Sequence, residues 1–482
     1  MPSYSPERRT ALVLTGTGAH GAYHAGVLRA LQEAGVKIDL LAGHGIGAGS
    51  AALAALDGAA RLWEPAGIWR SPAVARMYGW RWPIRATGAI GVVLLTILLT
   101  PVAVLLVGLL VYLVGFGLEM LQVGVGTTIV SFYSVWLQSA FAGPNLPTTV
   151  PRAATIALVA IIAVLLAGGL MAGRSAGGRR ARGGWLWRIA GAPLDAAGAR
   201  DRFATAIWDL IRGAAPLAKP SAATLGRRYS EVLAENLGQP GFRELVLVAT
   251  DLDARRDIVA ALLADPHRRE FLAPRVGRDR RSEVLDLAGV GRDHALDVVS
   301  AGLTPPHVCD PYPIAFAADS YWRGETHRAC DRPGAIHRLL EEVAAAGARQ
   351  AIVVSASAPV DAPHHLRAPR LDLRGRFGEW QSVADAVALR DALEATRMHF
   401  DAIYVIQPVH NPIGPYDVAG AYDEASDRRQ DLSELLERAY EDAYRQFIEP
   451  VVGASGDQLV HAEPGPDDTR VRSGTDRLFG AS

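Results

Sequence analysis

Apolar residues fall into runs of three lengths along this chain, and each length predicts a different element. Five short runs, "ALVLT" (11–15), "DLLAG" (39–43), "ELVLVATD" (244–251), "AIVVSAS" (351–357) and "AIYVIQP" (402–408), are nearly continuously apolar and stop at loop residues. That is the pattern of strands buried on both faces. Runs of intermediate length carry helical spacing: "AYHAGVLRALQEAG" sets Val27, Leu28 and Leu31 on one face and closes on Gly35, and "AIHRLLEEVAAAG" closes on Gly347. Buried strands alternating with helices predict an α/β fold around a mostly parallel sheet flanked by helices.

Two runs are too long for either role. Ala86 to Leu118 is 33 residues without a charge and Ala153 to Gly173 is 21, each enough for the ~20 apolar residues that cross a bilayer. Pro101 falls inside the first and is expected to kink or tilt it. Arg70, Arg76, Arg81 and Arg85 precede the pair, Arg174, Arg179, Arg180, Arg182 and Arg188 follow it, and only Glu119 and Arg152 lie between. Positive charge on both outer flanks places both in the cytoplasm. Trp80 and Trp82 on one side, and Trp185 and Trp187 on the other, suit an aromatic belt at that face. The segment 119–152 is then outside or partly re-entrant.

A hairpin that returns the chain to the side it left allows one cytoplasmic domain to be interrupted by the membrane insertion. The expected organisation is 1–85 as the first part of that domain, 86–173 as the insertion, 174–450 as the remainder and 451–482 as a flexible tail. The N-terminus lacks the basic start and apolar core of a secretory signal. An integral inner- or plasma-membrane protein is expected, with its α/β domain in the cytoplasm.

Composition narrows the chemistry. A formal charge of −1 gives no basic field for nucleic acid. The positive charge is almost all arginine, Lys37 and Lys219 excepted, which reads as a bias of the whole chain. Cys309 and Cys330 cannot make a disulfide framework, and no Cys/His spacing suits a metal. No cofactor is expected.

Candidate chemistry gathers at the carboxyl ends of the first two strands. The first ends in Gly16, Gly18 and Gly21 as G-x-G-x-x-G. A dinucleotide site has that form, with an acidic residue about 20 positions on at the far end of the second strand; Asp39 has the spacing but stands at the start of its strand. The second ends in "GHGIG" (43–47), a small-x-small-x-small turn of the kind that presents a nucleophile. Beside it, a loop of backbone N–H groups can stabilise an oxyanion.

These two turns in order resemble the opening of the patatin-like phospholipases, whose pattern is G-G-G-x-[R/K]-G, then G-x-S-x-G, then a distant D-G-[G/A] that completes a Ser-Asp dyad. "FRELVLVATDLDAR" (242–255), "HALDVVSAGLTPPHVCDPYPI" (294–314) and "AAAGARQAIVVSAS" (344–357) resemble later segments of that family, so about 300 residues are covered. Carried over, the resemblance implies an oxyanion loop at Gly16, Thr17, Gly18 and Gly21, with Thr17 replacing a glycine and His20 the basic residue. It implies an elbow at Gly43, His44 and Gly47 with Gly45 in the serine position. The aspartate loop aligns as "YWRGET", with Arg323 for the aspartate and Gly324 retained; Asp319 and Asp331 flank it, and a shifted alignment would recruit either.

Neither member of the dyad is then intact. The expectation is a membrane-anchored pseudoenzyme that binds membrane lipids or a protein partner. An active lipid acyl hydrolase with an unorthodox nucleophile is the alternative, and a nucleotide-binding membrane protein a weaker one. Ser50, one and a half helical turns past the elbow, should face away from it. His20, His24 and His44 cluster on the two turns, where they could activate water directly or bind a metal together, but solvated or capping roles are expected.

Overall fold

In a computed structural model, residues 4–175, 191–273, 282–318, 320–359 and 370–453 are described. They fall into two compact units, one running to Gly79 and resuming at Asp195, the other Trp80–Leu194.

The first unit is built on a nine-stranded sheet. Its strands are β1 (Thr10–Leu14), β2 (Leu40–Gly43), β3 (Glu244–Asp251), β4 (Arg256–Leu262), β5 (Ser282–Asp286), β6 (Tyr312–Ala315), β7 (Thr326–Cys330), β8 (Gln350–Val354) and β9 (Ala402–Ile406). The order is β9-β8-β1-β2-β3-β4-β5, with β7 also pairing to β3 and β6 to β7. From β9 to β3 every neighbour is parallel, whereas β4, β6 and β7 join by antiparallel pairing. All five expected strands are present, and β1, β2 and β8 are buried at every residue.

The two expected helices are α1 (Gly21–Glu33) and α8 (Ala335–Ala345). Beyond them, Gly35 and Gly347 adopt φ of 65° and 85°, the left-handed conformation that ends a helix most cheaply in glycine. Other helices that position the site are α2 (Ile46–Ala55), α6 (Ala197–Arg212), α7 (Ala295–Gly302), α9 (Leu373–Thr396) and α10 (Leu432–Ala443). Valine, leucine and alanine side chains of β1, β2, β3 and β8 form one core with Ile336, Leu339, Leu340 and Val343 of α8. Chain direction along the sheet reverses at β1, flanked by β2 and β8, so the crevice beyond its carboxyl end is the expected place for a site.

The second unit holds α3 (Trp82–Met120), α4 (Gly126–Ala140) and α5 (Leu146–Ser175). Two helices, Trp82–Met120 and Leu146–Met171, are long and apolar enough to cross a membrane. Helix α3 runs unbroken through Pro101. Helix α4 falls within the segment expected to be outside or re-entrant, and it doubles back along α3. A side chain at Gly115 would overlap Val130, one at Gly108 would press on the Tyr133 ring, and the Tyr133 hydroxyl donates to the Val104 carbonyl. Gly108 and Gly115 thus let the two helices approach closely. Arg179, Arg180, Arg182, Trp185, Trp187 and Arg188 lie outside the described residues, as do Asp319 and 454–482.

Candidate functional site

Both glycine turns stand where the sequence places them, directly after β1 and β2. Gly45 opens α2 with φ 59° and ψ −138°, a conformation essentially restricted to glycine and the sharp strand-to-helix geometry of an elbow. The flanking glycines are steric necessities, since a Cβ on Gly43 would strike the Gly47 backbone and one on Gly47 the Leu14 backbone. The elbow is therefore intact as a backbone and empty as a side chain.

What fills the space is the first turn. Gly16, at φ 109°, turns its carbonyl toward the elbow, where it accepts a hydrogen bond from Ile46 N–H at 2.8 Å. In an elbow of this kind the N–H following the nucleophile is an oxyanion donor; here the chain itself occupies it. A Cβ on Gly45 would overlap that same carbonyl oxygen. The next two N–H groups of α2 are also bound within the turn, Gly47 to the His44 carbonyl at 3.0 Å and Ala48 to the Gly45 carbonyl at 3.2 Å.

The first glycine turn is closed from its other side as well. Ala19 N–H donates to the Pro415 carbonyl at 2.7 Å, and a side chain at Gly18 would collide with that carbonyl. Thr17, extended at φ −125°, accepts from Gln381 Nε2 of α9 at 3.2 Å, and its hydroxyl reaches Asp385 Oδ2 at 3.5 Å. Gln381 also donates to Asp385 Oδ1 at 3.0 Å. Burial first, and then the charge of Asp331, push the Asp385 carboxyl up to about 7.

The carboxylate at the elbow is Asp331, whereas the alignment points to Arg323. Asp331 Oδ2 would lie 2.9 Å from a Cβ on Gly45, and Oδ1 accepts from His44 Nδ1 at 3.1 Å. Both residues are 1% exposed. Arg323 sits in an exposed turn at φ 47°, with Gly324 beside it at φ 79°. The turn precedes β7 and Asp331 follows it, so a five-residue strand, roughly 17 Å at ~3.4 Å per residue, separates them. The signal for Asp331 in the sequence is its place at the end of a strand, directly before "RPG" and a helix.

The histidines are neither solvated nor caps. His20, His24 and His44 are all at most 1% exposed, and no side-chain cap forms where His20 precedes α1. Burial pulls His20 down to about 4 and His24 to about 3, so both are neutral near pH 7. His24 Nε2–H donates to the Thr15 carbonyl at 2.8 Å, which leaves Nδ1 as an acceptor 3.4 Å from Ser50 Oγ. Ser50 is wholly buried, and its hydroxyl also reaches back to the Ile46 carbonyl at 3.5 Å. His20 Nδ1, His44 Nε2 and Asp331 Oδ2 are buried with no hydrogen-bond partner among the described residues. No group of three or more potential metal ligands occurs among those residues.

Asp39 belongs to the opposite edge. It precedes β2 and accepts from Thr10 N–H at 2.9 Å at the amino ends of the strands, so it has no part in a nucleotide site at Gly16–Gly21. Cys309 and Cys330 are buried and unlinked.

Residues 12–121 match the family model described as patatin-like phospholipase. No curated protein matches. Among solved structures, the crystal structure of VipD from Legionella pneumophila is similar over 92% of this chain and 67% of that one, at 13% identity and a TM-score of 0.29.

Proposed function

We propose, with the patatin-like phospholipase likeness of residues 12–121 as the premise, that this is a membrane-anchored patatin-like pseudoenzyme that binds lipid or a protein partner and does not hydrolyse esters. The observation that carries the reading is the state of the elbow. There is no side chain at Gly45, and the Gly16 carbonyl occupies both the Ile46 N–H and the space a nucleophile would need. A carboxylate base does not by itself form an acyl enzyme, and Asp331 in the family's aspartate role would have no hydroxyl to activate.

Anchoring rests on the two apolar helices and on the arginines before the first of them. Val92, Leu95, Leu105, Leu109 and Leu113 of α3 are all more than half exposed, a surface that lipid covers and water does not. The α/β unit then lies on the cytoplasmic side.

Purified full-length protein in nanodiscs, offered short-chain esters and phospholipid, should show no turnover above a Gly18→Pro variant, whose ring cannot adopt the φ of 57° found there. Turnover that Gly18→Pro abolishes would overturn the proposal. One observation favours a hydrolase instead: His24, held in the tautomer of a general base, faces Ser50. If ester turnover is found, Ser50→Ala should remove it.

A further inference from the structure

Away from the elbow, a cavity of about 350 Å³ opens between residues 61–76 and helix α6. Arg61, Arg76, Arg202, Asp201 and Asp209 line it. Three of these charges are committed elsewhere: Asp201 to Lys219, Asp209 to Arg212 at 2.8 Å, and Arg61 to Glu64 at 3.4 Å. Arg76 and Arg202 have no carboxylate partner among the described residues, and Arg202 Nε is buried without a hydrogen bond. The cavity thus presents two uncompensated guanidinium groups.

Its walls are fixed rather than adaptable. Ala199 N–H donates to the Met77 carbonyl at 3.2 Å, and a side chain at Gly198 would overlap the Arg76 carbonyl, so α6 is held against the stretch that carries Arg76. Guanidinium pairs of this kind suit the oxygens of a phosphate, which they bind in a planar fork.

The chain itself limits where that phosphate comes from. Arg76 is six residues before Trp82, the first residue of α3, at most about 20 Å of fully extended backbone. The cavity is tethered to the start of a span, where anionic headgroups and basic residues meet.

We propose that this cavity binds the phosphate headgroup of an anionic glycerophospholipid, with Arg76 and Arg202 as the phosphate ligands. The inference rests on the membrane-anchored reading, and the two fail separately. If the full chain does not partition into membranes, the anchor is wrong; if it partitions without preference among lipids, the headgroup site is wrong.

The test is native mass spectrometry of the full chain released from nanodiscs of phosphatidylcholine mixed with phosphatidylglycerol. Retained lipid should be enriched in phosphatidylglycerol by about thirtyfold, the scale expected of two juxtamembrane arginines at about 1 kcal/mol each. The Arg76→Gln/Arg202→Gln variant should lose that enrichment. Arg76 is exposed, so the single Arg76→Gln variant serves if the double variant does not fold, and it should lose most of the effect. Equal retention of both lipids, or enrichment that survives the substitutions, overturns the proposal. Inorganic phosphate retained by the full chain without enrichment of phosphatidylglycerol would make free phosphate the ligand and overturn the lipid assignment.

Discussion

Adding a single carbon at Gly45 is the most direct challenge to this account of the elbow. Gly45→Ala places a Cβ on a backbone at φ 59°, ψ −138°, and into the Gly16 carbonyl oxygen. The strained conformation costs about 1–3 kcal/mol for any residue with a Cβ, and moving the loop breaks the Ile46–Gly16 hydrogen bond, worth about 0.5–1.5 kcal/mol. The sum is about 2–4 kcal/mol, a fall in Tm of roughly 3–5 °C for an α/β unit of this size.

The molecule contains its own control. Gly213 has nearly the same backbone, φ 55° and ψ −130°, but nothing lies within 4 Å of its would-be Cβ. Gly213→Ala should therefore show the backbone cost alone, and Gly45→Ala should be the more damaging by about 1–2 kcal/mol, the share due to overlap and the lost bond. Thermal unfolding of the full chain in one detergent, both variants side by side, measures the difference. If Gly45→Ala is no worse than Gly213→Ala, the Gly16 turn is not locked onto the elbow and the site is open to a side chain. Gly45→Ser should match Gly45→Ala in stability and remain without ester turnover. Arg323→Asp added to it should change nothing, because β7 holds that turn away from Asp331.

The buried carboxyl of Asp385 predicts a pH effect. Its folded value of about 7 lies above the ordinary 3.8, so the stability it contributes is fully present below pH 3.8 and is lost as pH rises through about 7. Asp385→Asn should then gain stability relative to the parent on going from pH 5 to pH 8 in urea unfolding; a constant difference would refute the assignment. For topology, reporter fusions after residues 80, 143 and 190 should read in, out and in, and an outside signal at 190 would separate the two parts of the α/β unit.

The parallel half of the sheet was legible because its strands are apolar on both faces, a pattern that exposed or antiparallel strands do not share. β7 reads Thr326-His-Arg-Ala-Cys with Thr326 and Arg328 exposed, and β4 opens on two charged residues, Arg256 and Asp257. Neither resembles a buried parallel strand, so the antiparallel edge went unread, and with it the reach from the Arg323 turn to Asp331. The glycine turns were legible for the opposite reason. Only glycine fits at Gly43, Gly45 and Gly47, so the backbone demand is written directly in the sequence. What spacing could not reveal was the burial of the three histidines, or the closing of Pro415 and α9 over the first glycine turn from more than 360 residues away in the chain.

On the proposed reading, loss of the nucleophile and closure of the loop are physically one event. An elbow whose side chain has gone leaves the Ile46 N–H exposed to a gap, and a buried donor without a partner costs about 1–3 kcal/mol. With no Cβ in the way, the Gly16 carbonyl can move in and satisfy it, as it does at 2.8 Å. Once it has, a serine cannot simply return, because its Cβ would meet that carbonyl. The pair of His44 and Asp331 persists under a separate constraint. Both are 1% exposed, and removing either would leave a buried polar or charged group unpaired. A retained aspartate at the elbow is therefore accounted for by packing and hydrogen bonding, and its presence does not argue for hydrolysis.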